Sequence, residues 1–186
     1  MNEPQYAYKY LNADGTASNG GSGKWYLPHG SRPGKWMPPI LDIKPCERGY
    51  HLCRPQDLLK WHGVTLWKAE YRGVYLVHDD SKIVAEQARL ISQVTIWNER
   101  TQRLFACDCA EHVAPLYVAK LGKWKPMDTI EVARRYANGQ ATDKELAAAR
   151  DAAWAAAWDA ARDAAWDAEI VWQQKRLMDY IEGRIT

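Results

Sequence analysis

The side chains best suited to chemistry are Cys46, His51, Cys53, Cys107, Cys109 and His112. Thiolate and imidazole are the ligands of structural zinc, which usually takes them from C-x2–4-C pairs. Here the spacings are Cys46-x6-Cys53 and Cys107-x-Cys109-x2-His112, and neither fits. On a helix, Cys107 and Cys109 would point about 200° apart. The expectation is therefore buried thiols acting as small apolar groups, with no metal and no cofactor. His51 and Cys53 share a face if they lie on one strand, as a thiolate–imidazole pair requires. No Asn or Asp marks itself as the orienting third group. Metalloprotease, phosphate-loop and G-x-S-x-G patterns are missing too. No catalytic residue is assigned, and the chain leans towards binding rather than catalysis.

A third arrangement is cationic. Lys9, Arg48, His51 and Arg54 come together near Tyr8, Trp25 and Tyr50 if the two strands that carry them pair. Cations beside aromatic faces suit a base with a phosphate. The plainer alternative is that these basic side chains simply cover strand edges. The candidate ligand-binding residues are thus Tyr8, Lys9, Trp25, Arg48, Tyr50 and His51.

The elements that must position them are short. Tyr6, Tyr8 and Tyr10 alternate, as on one face of a strand. Residues 12–23 are rich in Gly, Ser and Asn and read as a loop. Lys24–Leu27 suits a short strand, whereas three Pro and two Gly make 29–39 irregular. Gly49 marks a turn before a buried strand at Tyr50–Cys53. Pro55 suits the first turn of a short helix ending near Trp61. Residues 65–72 alternate Trp67, Ala69 and Tyr71 with Lys68, Glu70 and Arg72, predicting a half-buried strand. Gly73 and His78–Ser81 are turn signals. Residues 82–94 carry enough β-branched side chains to favour a strand.

After Trp97 the texture becomes helical. A helix is expected over Glu99–Leu121, broken or bent near Pro115. A second follows over Asp128–Ala137, stopped by Asn138-Gly139. Thr142 and Glu145 form a capping box, from which a helix can run to about Glu182. Trp154, Trp158, Trp166 and Trp172 fall within a stripe of roughly 120° on that helix, with Asp159, Asp163 and Asp167 beside it. Alanine between them has the highest helix propensity. The bland reading is a packed bundle helix. The sharper one makes Trp154, Trp158 and Trp166 a partner interface, because Trp anchors binding hot spots.

The chain has 186 residues and a net charge of +2, with ten Trp and ten Tyr against one Phe. Trp and Tyr favour half-wet surfaces and grooves. The near-neutral balance argues against a nucleic-acid face. No apolar run approaches the ~18 residues of a membrane span. The first residues lack a basic-then-apolar export signal, so four cysteines suggest reduced thiols in the cytoplasm of a bacterial host.

Two resemblances each cover about half of the chain. Residues 104–168 carry Ala106, Asp108-Cys109-Ala110-Glu111-His112-Val113, Pro115-Leu116, Ile130-Glu131-Val132-Ala133-Arg134, Ala137, Gly139 and an alanine run from Ala147. In that order they resemble the alanine-rich helical immunity-protein family of bacterial polymorphic-toxin systems. The Trp-rich repeat departs from that family's plainer alanine pattern, so no partner specificity carries over. Residues 6–91 carry Tyr8-Lys9, Cys46-x-Arg48-Gly49-Tyr50-His51-x-Cys53, Leu66-Trp67-x-x-Glu70 and Lys82-Ile83-Val84-Ala85. They resemble a small family of uncharacterised phage and bacterial proteins and, more distantly, the ADP-ribosyltransferase fold. That fold implies a late catalytic glutamate, for which Glu70 and Glu86 are the candidates.

The expectation is an α+β protein, with a small mostly-β module over 1–98 and a helical module over 99–186 that contains one long Ala/Trp-rich helix. Its expected role is that of a non-enzymatic immunity or anti-defence factor that occludes a protein partner. The alternative is a nucleotide-binding or ADP-ribosyltransferase-like domain that acts on or sequesters an NAD-derived ligand. Oligomeric state is not legible.

Overall fold

The computed structural model describes residues 5–61, 63–78, 81–121, 126–149 and 166–185, with the side chains of 116–121, 126 and 166–168 excepted. The chain is α+β and divides into two compact units, Met1–Thr95 and Ile96–Thr186.

The first unit is a four-stranded antiparallel sheet. Its strands are β1 (Gln5–Leu11), β2 (Tyr50–Leu52), β3 (Thr65–His78) and β4 (Lys82–Gln93), in spatial order β1-β3-β4-β2. The sheet curls until its two edges meet. Tyr8 N–H donates to the Cys53 carbonyl at 2.8 Å, and Cys53 N–H donates to the Tyr8 carbonyl at 2.8 Å. Strand alternation then sorts the side chains. Ala7, Leu11, Trp67, Ala69, Tyr71, Ile83, Ala85, Ala88 and Leu90 fill the inside with Leu52 and Trp25. Four of these are alanines, because a tight curl leaves little room between facing strands. On the other face Tyr10, Leu66 and Val84 are buried as well, together with Leu58.

Bulges sharpen the curl. The β3–β4 register slips between Lys68 and Ala69 and again between Arg72 and Tyr75; an extra residue in one strand bends it and increases its twist. Gly73, expected as a turn, sits instead at the second bulge with φ +80°. A Cβ there would come within 2.5 Å of the Glu86 carboxylate, which accepts the Val74 N–H at 3.0 Å. The strand thus passes through a position that read as its end.

The irregular segment 34–40 runs along β4 beyond β2. Gly34, Met37 and Ile40 donate their N–H groups to the carbonyls of Leu90, Ala88 and Glu86 at 2.9, 2.9 and 3.0 Å. Residues 24–27 make one isolated bridge, at Lys24, rather than the expected strand. The expected short helix is a 3-10 turn, Pro55–Lys60. The fully buried Asp57 carboxylate holds its start by accepting the Arg54 N–H at 3.2 Å and the Arg54 guanidinium at 2.7 and 3.0 Å.

The second unit contains α1 (Glu99–Leu121), α2 (Pro126–Ala137), α3 (143–149) and α4 (Trp166–Ile181). Asn98 caps α1 by a reciprocal pair: Thr101 N–H donates to Asn98 Oδ1 at 3.2 Å and Asn98 N–H to Thr101 Oγ1 at 2.9 Å. The helix then continues through Pro115 without the expected break. Gly139 ends α2 at φ +71°, a left-handed residue of the kind that closes helices. The capping box opens α3, with Thr142 N–H on Glu145 Oε2 at 2.8 Å and Glu145 N–H on Thr142 Oγ1 at 3.2 Å. Whether one helix runs unbroken from 142 to 182 turns on residues outside the described ones.

Asp108 ties three of these helices together. It is 5% exposed. Its Oδ1 meets Arg134 of α2 at 2.7 Å, and its Oδ2 accepts from Arg176 and Tyr180 of α4 at 2.7 and 2.8 Å. No described helix is long and apolar enough to cross a membrane.

Candidate functional site

A cavity of about 540 Å³ lies beside β2, at the seam where the sheet's edges meet. Its wall includes Lys9, Trp25, Arg48, Tyr50 and His51, five of the six residues expected to bind a ligand. The sixth, Tyr8, does not line it. Tyr8 contributes its backbone to the seam instead.

Each group is placed by its strand. Lys9 shares its face of β1 with Ala7 and Leu11, so its stem lies against the apolar inside. Its ammonium donates to the His51 carbonyl at 3.0 Å and sits 5.4 Å from the Trp25 ring centre. Burial lowers its pKa from the ordinary lysine value, because a desolvated ammonium loses hydration that these contacts only partly replace. Trp25 is 5% exposed, so it is a wall rather than a stacking platform. Tyr50 meets it edge-on at 5.5 Å and donates its hydroxyl to the Pro38 carbonyl at 2.7 Å. Gly49 makes the turn into β2 at φ +126°. A Cβ there would lie 2.5 Å from Val84 Cγ1, so only glycine lets β2 lie this close to β4.

His51 points to the opposite face from Tyr50 and Leu52. Its Nε2 accepts the Cys46 N–H at 2.9 Å, which requires a ring nitrogen without a proton. Burial lowers its pKa, and the Lys9 and Lys82 ammoniums add to the effect. A neutral imidazole therefore braces the 44–48 loop, where Lys44 and Arg48 exchange backbone hydrogen bonds of 2.7 and 2.9 Å. Cys46 sits in that loop at φ +67° with its thiol exposed. Cys53 is buried, and burial pushes its thiol up to about 12.

Among the lining residues not expected from the sequence are Cys46 as a wall residue, Trp61 and Lys82. Lys82 is 8% exposed. Its ammonium lies 3.0 Å from Cys46 Sγ and 5.0 Å from the Trp61 ring centre. The signal that points to it is its register: it precedes Val84, which pairs with His51, by two residues and so shares its face.

The wall is cationic. Against Lys9, Arg48 and Lys82 it carries one carboxylate, Glu47, which lies 3.7 Å from Lys44. The two candidates for a transferase glutamate are engaged elsewhere. Glu70 pairs with Arg89 at 2.7 Å, Glu86 caps Val74, and neither lines the cavity.

No family model, curated protein or solved structure matches the chain.

In the helical unit, His112 Nδ1 lies 2.6 Å from Glu169 Oε2, and its ring stacks on Trp172 at 3.8 Å. Burial pushes the Cys109 thiol up to about 12, with Glu169 and Asp108 adding to the effect, and raises the Cys107 thiol too. Among the described residues no three His, Cys, Asp or Glu side chains gather as a metal site. Of the expected partner interface, Trp154 and Trp158 lie outside the described residues, and Trp166 is described in its backbone alone.

Proposed function

We propose that the first unit binds a phosphate-bearing small molecule of the nucleotide class and holds it without chemical change. The observation that carries this reading is Lys9. A half-buried ammonium faces a cavity and, among the described residues, has no carboxylate partner; its hydrogen bond goes to a neutral carbonyl. Burying a charge without a counter-ion is costly, and an incoming anion removes that cost. Arg48 at the rim adds a planar fork suited to phosphate. Tyr50, Met37 and Ile40 supply the apolar wall that a base needs. The engagement of Glu70 and Glu86 elsewhere supports holding over group transfer. Occlusion of a protein partner by the Trp-rich helix draws no support from this geometry, because its residues lie outside the described ones.

The test is calorimetric titration of the whole protein with adenine and guanine nucleotides, repeated on Lys9→Met. Expected is binding by the native chain and a loss of at least about tenfold in the variant, the worth of one charge-assisted hydrogen bond. Absence of heat and of thermal stabilisation at millimolar nucleotide would overturn the reading.

A further inference from the structure

Lys82 is a second ammonium on the same cavity, and it enters from the other side. Lys9 belongs to the face of β1 that carries Ala7 and Leu11, inside the curl. Lys82 shares its face of β4 with Val84, and Val84 is the register partner of His51 on β2. The two ammoniums therefore approach the seam from opposite faces of the sheet, with His51 between them. His51 offers its carbonyl to Lys9, and its ring is depressed by the charge of both.

Each ammonium is held in the same way. Each sits over an indole, Trp25 for Lys9 and Trp61 for Lys82. Lys9 donates to the His51 carbonyl and Lys82 to the Cys46 sulfur. Neither has a carboxylate partner among the described residues. Trp61 is itself fixed, because its indole N–H donates to the Ser81 carbonyl at 2.8 Å. Indole faces orient a cation without neutralising it. No carboxylate among the described residues neutralises either charge, and both lysines line the cavity.

We propose that the cavity reads its ligand at two separate anionic points, so that its preferred occupant carries two phosphate groups rather than one. The two ammoniums are held on different acceptors and over different indoles, so the cavity offers two cationic points rather than one. Two phosphates, linked to each other or at two positions of one sugar, can meet one each. This inference rests on the nucleotide reading of the cavity and narrows it.

The experiment compares AMP, ADP, adenosine 3′,5′-bisphosphate and inorganic pyrophosphate on the whole protein, with the native chain and Lys82→Met. A second readout needs no variant. Cys46 Sγ lies 3.0 Å from the Lys82 ammonium and its thiol is exposed, so iodoacetamide labelling of the Cys46 peptide reports occupancy there. A bisphosphorylated nucleotide is expected to bind at least about tenfold more tightly than AMP. It should slow Cys46 alkylation more than AMP does at equal saturation, and Lys82→Met should bring the affinity ratio towards one. Equal affinity for AMP and both bisphosphates, or equal protection of Cys46, would overturn the two-point inference while leaving nucleotide binding intact. Pyrophosphate bound with no nucleotide bound would keep the two points and discard the nucleoside. No binding by any of the four would remove both.

Discussion

The His51 ring accepts the Cys46 N–H, and it can do so only while neutral. Its pKa in the fold is below the ordinary value of about 6.5. The unfolded chain therefore takes up a proton before the folded one does as pH falls. Stability from this group is full above about 6.5 and is lost as pH drops towards the folded value. Denaturant titrations at stepped pH should show that loss in the native chain. His51→Gln, which keeps an acceptor and does not titrate, should be flatter over the same window; an unchanged slope would place the proton uptake elsewhere. At this scale the sequence was partly legible. Lys9, Arg48, Tyr50 and His51 stood out as cations and rings in a pattern that two pairing strands would gather. Lys82 and Trp61 did not, because their role depends on which face of a curled sheet they reach, and curl follows from bulges that no local pattern announced.

The helical elements are joined by one carboxylate more than by any other polar group. Asp108 is nearly buried and accepts from α2 and α4 at once, so Asp108→Ala takes from Arg176 its carboxylate and leaves Arg134 with Glu111 alone. Breaking a buried pair from one side costs about 3–5 kcal/mol. Both guanidiniums are about a third exposed and recover some hydration, which puts the expected loss at the low end, about 3 kcal/mol. Thermal unfolding followed at helix wavelengths would measure it, and a loss below about 1 kcal/mol would show that apolar packing alone holds α4. Helix starts were legible because caps are local: Thr142 with Glu145 could be read three residues apart. The bounds of α1, Glu99–Leu121, were legible as well, with Pro115 inside a continuous helix rather than at a break. The strand through Gly73 was not legible. Glycine signals a permitted φ, and a bulge uses that permission as readily as a turn does.

Across the whole molecule, an α+β chain with strands in its first half and helices in its second could be read from texture alone. A shift from alternating residues and Gly/Pro turns to long runs without glycine marks a change of period that survives any detail of packing. The cavity could not be read in this way. It exists because the first strand of the sheet and Cys53, two residues before Pro55 and the 3-10 turn, are brought edge to edge by the intervening bends. The backbone part of that edge contact is a single reciprocal pair, Tyr8 with Cys53, beside which the Lys9 ammonium donates to the His51 carbonyl. A curled sheet whose edges share one such pair behaves as a clasp: breaking the pair loosens the seam without disturbing the β3–β4 hairpin. Amide exchange at Tyr8 and Cys53 should accordingly be faster than at the β3–β4 ladder, and a saturating occupant that bridges the seam should slow those two amides most. The ease of entry to the pocket would then be set by the lifetime of one clasp rather than by the stability of the fold.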